Sequence, residues 1–210
     1  ATLGTVLRDE SFQVPGTDWT PKNYDRSERG PVLPRTAIAH SYNISAVRML
    51  LMTSAERVLE KLKSVFGIDT SRMQAYPSLA LGAFEVTLLE MVSAYSVFAN
   101  YHADRPELAG ARVEPYPIVS VTDRDGRPVR DREGRERSAF APFPTHKVTT
   151  PEASFLVATA LQSVVRNGTA AGAVGATLGA IPAAGKTGTT DDYADAWFVG
   201  FTPTVTAGVW

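Results

Sequence analysis

The chain has 210 residues, 44% of them hydrophobic and 20% charged, a composition that suits one domain with a sizeable core and argues against a disordered chain. A net charge of -1 lacks the clustered basic excess that nucleic-acid binding needs, and the absence of cysteine excludes a disulfide framework and thiolate-ligated metal sites. No run approaches the roughly 20 apolar residues that span a bilayer, and the most apolar stretch, 79–100, carries Glu85 and Glu90.

Residues 1–34 are rich in Pro, Gly and Asp and read as extended surface segments. A helix is expected from about Arg35, broken at Ser41, Tyr42 and Asn43, whose side chains favour local bonds to the backbone. Helical spacing resumes over 44–52 and again over 54–66, where Val58, Leu59, Leu62, Val65 and Phe66 recur on one face and Gly67 supplies a stop. Thr87 with Glu90 three residues on is a capping-box pattern, opening a helix towards Phe98. Two β-favouring runs around Asp125-Gly126 predict a hairpin over 116–130, and the charges of 124–137 largely cancel in a solvated loop. Thr149 or Thr150, followed by Pro151 and Glu152, starts a helix through Val165 that Asn167-Gly168 closes. Strands are expected over 185–190, 196–202 and 205–210.

Two short patterns carry chemistry. In AGKTGTTDDYADAWFVGF (184–201), Lys186 offers a fixed positive charge, Thr187 and Thr189 offer hydroxyls, and Gly188 leaves the strand surface bare for a ligand backbone, a set suited to a carboxylate. Far upstream stands the Ser41-Tyr42-Asn43 triplet. A phosphate-binding loop at Gly185-Lys186-Thr187 would need glycine at the position of Ala180. Asp191, Asp192 and Asp195 are better explained as a polar turn than as a metal site, and His40 beside Ser41 as chance adjacency, since neighbours on a helix point apart.

Ser-x-Asn and Lys-Thr-Gly are two of the three signatures of penicillin-recognising serine enzymes. The third, Ser-x-x-Lys, does not occur: three residues before Lys22, Lys61, Lys63, Lys147 and Lys186 stand Trp19, Val58, Glu60, Pro144 and Ala183. Together with TPKNYD (20–25), PSLALGAFEVTLLEMVSAYSVFAN (77–100) and Asn167-Gly168-Thr169-Ala170, the motifs make the chain similar, over almost its whole length, to the transpeptidase domain of class A, bifunctional penicillin-binding proteins.

The resemblance implies an α+β fold, an antiparallel sheet with helices on both faces, incomplete at both ends, with residues 1–210 forming the C-terminal part of one domain. It implies a parent that cross-links peptidoglycan through a serine acyl-enzyme, binding D-Ala-D-Ala stem peptides and β-lactams, needing no cofactor or metal. The parent would work at the extracytoplasmic face of the bacterial inner membrane, in the periplasm, anchored by a segment absent here. Ser41 would move a proton to the leaving amine, Lys186 would tune the site, and Asn43, Thr187, Gly188 and Thr189 would bind the ligand. Tyr42, where the pattern elsewhere has Asp, is read as packing. Without the nucleophile, this chain alone is expected to be inactive. A D,D-carboxypeptidase, a β-lactamase-type hydrolase and a non-catalytic cell-wall peptide-binding module stand as alternatives.

Overall fold

A computed structural model describes residues 2–100, 108–115, 122–130, 145–190 and 194–210. The chain opens with an antiparallel hairpin, β1 (Leu7–Asp9) on β2 (Gly30–Val32), and then the helices α1 (Pro34–His40), α2 (Asn43–Leu51) and α3 (Ala55–Ser64). A 3-10 turn at Pro77–Leu81 leads to α4 (Leu88–Ala99). The strands β3 (Ala111–Val113) and β4 (Thr145–Lys147) pair with one another before α5 (Pro151–Asn167). A π-helical turn, Ala171–Gly175, runs into the short α6 (Ala176–Leu178). The chain closes on the antiparallel sheet β5 (Ala184–Thr189), β6 (Ala196–Phe201) and β7 (Thr206–Val209), with β6 in the middle.

The start signals read in the sequence act as caps. Thr87 accepts from the Glu90 amide at 3.2 Å while Glu90 accepts from the Thr87 amide at 2.8 Å, which satisfies two orphan donors of α4 at once. The Thr150 hydroxyl accepts from Ala153 N at 3.2 Å, and Pro151 occupies a first-turn position whose N–H would have no helical partner.

The register places Ala184, Lys186 and Gly188 on one sheet face with Phe201, Val199 and Trp197, their cross-strand partners. At one end of that face Ala184 and Phe201 pack with Ala99 of α4 and with Ala158 and Leu161 of α5. Burial of side chains such as Leu161 and Phe201 is worth about 1.5–3 kcal/mol each, so this contact seats both helices on the sheet. The α+β class and its antiparallel sheet are those expected. No helix of the described residues is long and apolar enough to cross a membrane.

One region differs from the sequence reading, and two more are filled in by the structure. The first 34 residues are not merely surface: Leu7, Asp9, Val14, Pro21 and Asn23 are buried, because the hairpin folds back over α2. Helix α3 forms, but none of its residues is fully buried, so its apolar stripe is only half covered. The turn at Asp123–Gly126 is present, with Asp123 N bonded to Arg127 O at 2.9 Å and a bridge from Thr122 to Pro128, whereas the expected first run, 116–121, lies outside the described residues. So do 131–144 and Asp191 and Asp192.

Candidate active site

The turn between α1 and α2 is made by Ser41, whose φ of 56° and ψ of 47° are left-handed. Tyr42 N reaches back to Ala37 O at 2.9 Å, closing α1 in the manner usually reserved for glycine. A serine there carries a backbone cost of about 1–2 kcal/mol, and in return its hydroxyl stands exposed beyond the helix end. Strain of this kind persists only where surrounding contacts hold it, and here the first of them is made by the side chain.

It meets Lys186. The ammonium donates to Ser41 Oγ at 2.9 Å across 145 residues of sequence, and to Thr187 O at 2.8 Å. Lys186 is partly buried, and desolvation pushes its pKa down from 10.5 to about 8. Among the described residues two of the three donors of the charged form are engaged, which leaves one for a ligand.

Lys186 and Thr187 are neighbours on a strand, so their side chains leave it on opposite faces. On its own face Thr187 Oγ1 lies 2.7 Å from Thr169 Oγ1. Thr169 comes from the loop after α5, and that loop is docked on the end of α1: Thr169 N donates to Ala39 O at 3.0 Å. The docking depends on Gly168, where a Cβ would stand 2.2 Å from Ala39 O, closer than any side chain permits. Thus the last turn of α1 holds both sides of β5, one through Ser41 and one through Thr169.

Gly188 has the opposite character. A Cβ there would meet only Trp197 Cβ, at 3.4 Å, so the fold does not require glycine at this exposed position. Beyond it Thr189 is exposed, and among the described residues β5 pairs only with β6, so its other edge is open. That edge, a lysine with a spare donor, and several hydroxyls can together hold an extended peptide by its backbone and an anionic terminus.

Asn43 is tied differently. Its amide donates to Lys22 O at 3.0 Å and not to the Ser41–Lys186 pair. Next to Lys22, Asn23 Oδ1 accepts from Ile44 N at 3.3 Å, so the 20–25 loop caps the start of α2 and fixes the Ser41–Asn43 turn from outside. Tyr42 packs, with His40 stacked at 5.7 Å and Arg29 over its ring at 5.4 Å. A cavity of about 850 Å³ between 69–76 and the start of α4 is lined by none of these site residues.

Sequence reasoning named Ser41, Asn43, Lys186, Thr187, Gly188 and Thr189, and the structure joins Ser41 directly to Lys186. It missed Thr169 as a member of the site. The Asn167-Gly168 helix stop says that the chain turns and not where the next side chain lands, and Thr169 stood in the sequence only as part of the matching run Asn167-Gly168-Thr169-Ala170.

The penicillin binding protein transpeptidase domain model matches residues 2–210. Penicillin-binding protein 1A of Aquifex aeolicus is 43% identical over 195 residues, 93% of this chain and 24% of that protein. This chain thus spans about a quarter of the length of such a relative. In fold it is similar to penicillin-binding protein 1A from Haemophilus influenzae, with a TM-score of 0.74 at 29% identity, covering 95% of this chain and 33% of that one. It is also similar in fold to the PonA1 protein from Mycobacterium tuberculosis in complex with penicillin V, with a TM-score of 0.72 at 18% identity, covering 99% of this chain and 54% of that one.

Proposed function

The chain belongs to the penicillin-binding protein transpeptidase domain family, and from that premise we propose that it is part of a peptidoglycan D,D-transpeptidase that also takes β-lactams. The observation that carries the reading is the 2.9 Å bond from Lys186 Nζ to Ser41 Oγ, made by two motifs 145 residues apart. A hydroxyl bonded to a lysine of pKa about 8 has a partner that can give or take a proton near neutral pH, which is what departure of an amine requires.

In this reading the donor stem peptide lies along the open edge of β5, with its backbone against Gly188. Its D-Ala carboxylate takes the hydroxyls of Thr187 and Thr189, which share one face of β5, and the spare donor of Lys186 Nζ, which reaches from the other face to the strand backbone at Thr187 O. The Thr189 amide serves as one oxyanion donor as the carbonyl becomes tetrahedral; a comparable side-chain donor is worth about 10²–10³ in rate. Ser41 passes a proton to the leaving D-alanine, and an amine of a neighbouring stem peptide resolves the ester. No Ser-x-x-Lys occurs in these 210 residues, so in this reading the attacking serine belongs to a segment outside them and this chain alone is inert. In this reading the site acts on peptidoglycan at the outer side of a bacterial inner membrane, in the periplasm.

Intact-protein mass spectrometry with penicillin tests this. The full-length protein is expected to gain one penicilloyl mass and the 210-residue chain none. A stoichiometric adduct on a serine of this chain would overturn the assignment of the nucleophile, and no adduct on the full-length protein would overturn the proposal.

A further inference from the structure

Resting on the carboxylate reading of Lys186 and Thr187, we infer that Thr169 is a positioning residue: it presets the Thr187 hydroxyl as a donor to the ligand's anionic terminus and so sharpens selection for ligands that carry one. Thr169 Oγ1 and Thr187 Oγ1 are 2.7 Å apart, so one of their two protons lies between the oxygens and the pair presents one outward. A carboxylate seated on Thr187 selects the order Thr169 to Thr187 to carboxylate. In that order the middle hydroxyl accepts one bond while giving another, which polarises it into a stronger donor. Thr169 is itself exposed at the rim, so the pair can meet a ligand directly.

The alternative is that the hydroxyl pair only ties the loop down. The loop does not need it. Thr169 N already bonds Ala39 O at 3.0 Å, Ala170 N bonds Val164 O at 3.1 Å, Ala171 N bonds Gly168 O at 3.1 Å, and Ala170 is buried among Val164 and Val165. With the backbone held this way, the Thr169 hydroxyl has a fixed origin and, among the described residues, one partner, Thr187. The same docking on α1 that aims Ser41 at Lys186 therefore aims Thr169 at Thr187, so proton transfer and terminus recognition share one support.

The test uses the full-length protein, with acylation rate constants for benzylpenicillin and for its methyl ester, whose terminus carries no charge. The wild type is expected to prefer the acid. Thr169→Val, which keeps the shape and the backbone bond but removes the hydroxyl, is expected to narrow the acid-to-ester ratio roughly three- to tenfold, the worth of one hydrogen bond, with the melting temperature unchanged. Thr169→Ser is expected to restore the ratio, and Thr169→Val on top of Thr187→Val to change it no further. A Thr169→Val protein with an unchanged ratio, or one slowed equally towards both compounds, would refute the inference while leaving the carboxylate reading intact. A wild type that reacts equally with both compounds, or with neither, would remove the carboxylate reading and the inference together.

Discussion

Two polar clusters hold the ends of α2 and α1, and they are finished differently. Around Asp9 everything is closed. Its Oδ1 accepts from Ser45 N at 3.1 Å and Ser45 Oγ at 2.8 Å, its Oδ2 accepts from Asn23 Nδ2 at 2.6 Å, and all three residues are buried. Around Lys186 the cluster is left open, with Ser41, Thr169, Gly188 and Thr189 exposed and one lysine donor to spare. A sealed network in a low dielectric fixes a conformation, whereas an unsealed one holds bonding capacity for something that arrives. By that contrast the first should govern stability and the second turnover.

The largest effect that would break the comparison lies at Asp9. Asp9→Ala leaves the Ser45 and Asn23 donors buried beside an empty space, and each unsatisfied group costs about 1–3 kcal/mol. Denaturant unfolding should show a loss of about 2–4 kcal/mol, with near-normal acylation in whatever fraction folds. An unchanged unfolding midpoint would mean that the hub is incidental to the fold. Next is Lys186→Ala, which removes charge-assisted bonds worth about 1.5–3 kcal/mol and should slow acylation of the full-length protein by about 10- to 100-fold. Thr187→Ser, which keeps its hydroxyl, should slow it less. Equal rates for the two variants would make Lys186 structural.

The open cluster was the more legible of the two in the sequence, because its parts are local signatures: a helix broken at Ser41–Asn43 and a lysine at the head of an apolar strand. Caps at Thr87 and Thr150 were legible for the same reason, since their partners lie within three residues. The closed cluster was not. Asp9, Asn23 and Ser45 are separated by 14 and 36 residues, and each alone reads as an ordinary surface or helix residue. Thr169 was missed in the same way, because its partner lies 18 residues on and across a sheet edge. Spacing rules see contacts within one element; these contacts depend on how hairpin, helix and loop dock.

A smaller effect sharpens the contrast at Ser41, which stands with one foot in each role. Its left-handed backbone costs stability, and its hydroxyl accepts from Lys186 at the open cluster. Ser41→Gly should therefore raise stability by about 1 kcal/mol, by relieving the conformation glycine adopts freely, while acylation falls. If the variant were both less stable and fully active, Ser41 would belong with Asp9 as a structural residue.

The finest test uses one proton with two opposite consequences. Lys186 has a folded pKa of about 8 against 10.5 when free. Below pH 8 both folded and unfolded states hold the proton, so the cost of burying the charge is fully present. Between about 8 and 10.5 the folded state has released it and the unfolded state has not. Stability contributed by this group therefore rises with pH through that window. Other groups titrate there too, so the quantity to follow is the difference between the wild type and Lys186→Met, in which the rise should disappear. Recognition runs the other way, because a neutral amine no longer attracts a carboxylate. The acid-to-ester preference in penicillin acylation should fall as pH rises through about 8, while stability increases. A saturating carboxylate ligand favours the charged form and should move the loss to higher pH. If preference and stability moved with the same sign, the lysine would not be the group that reads the ligand's charge.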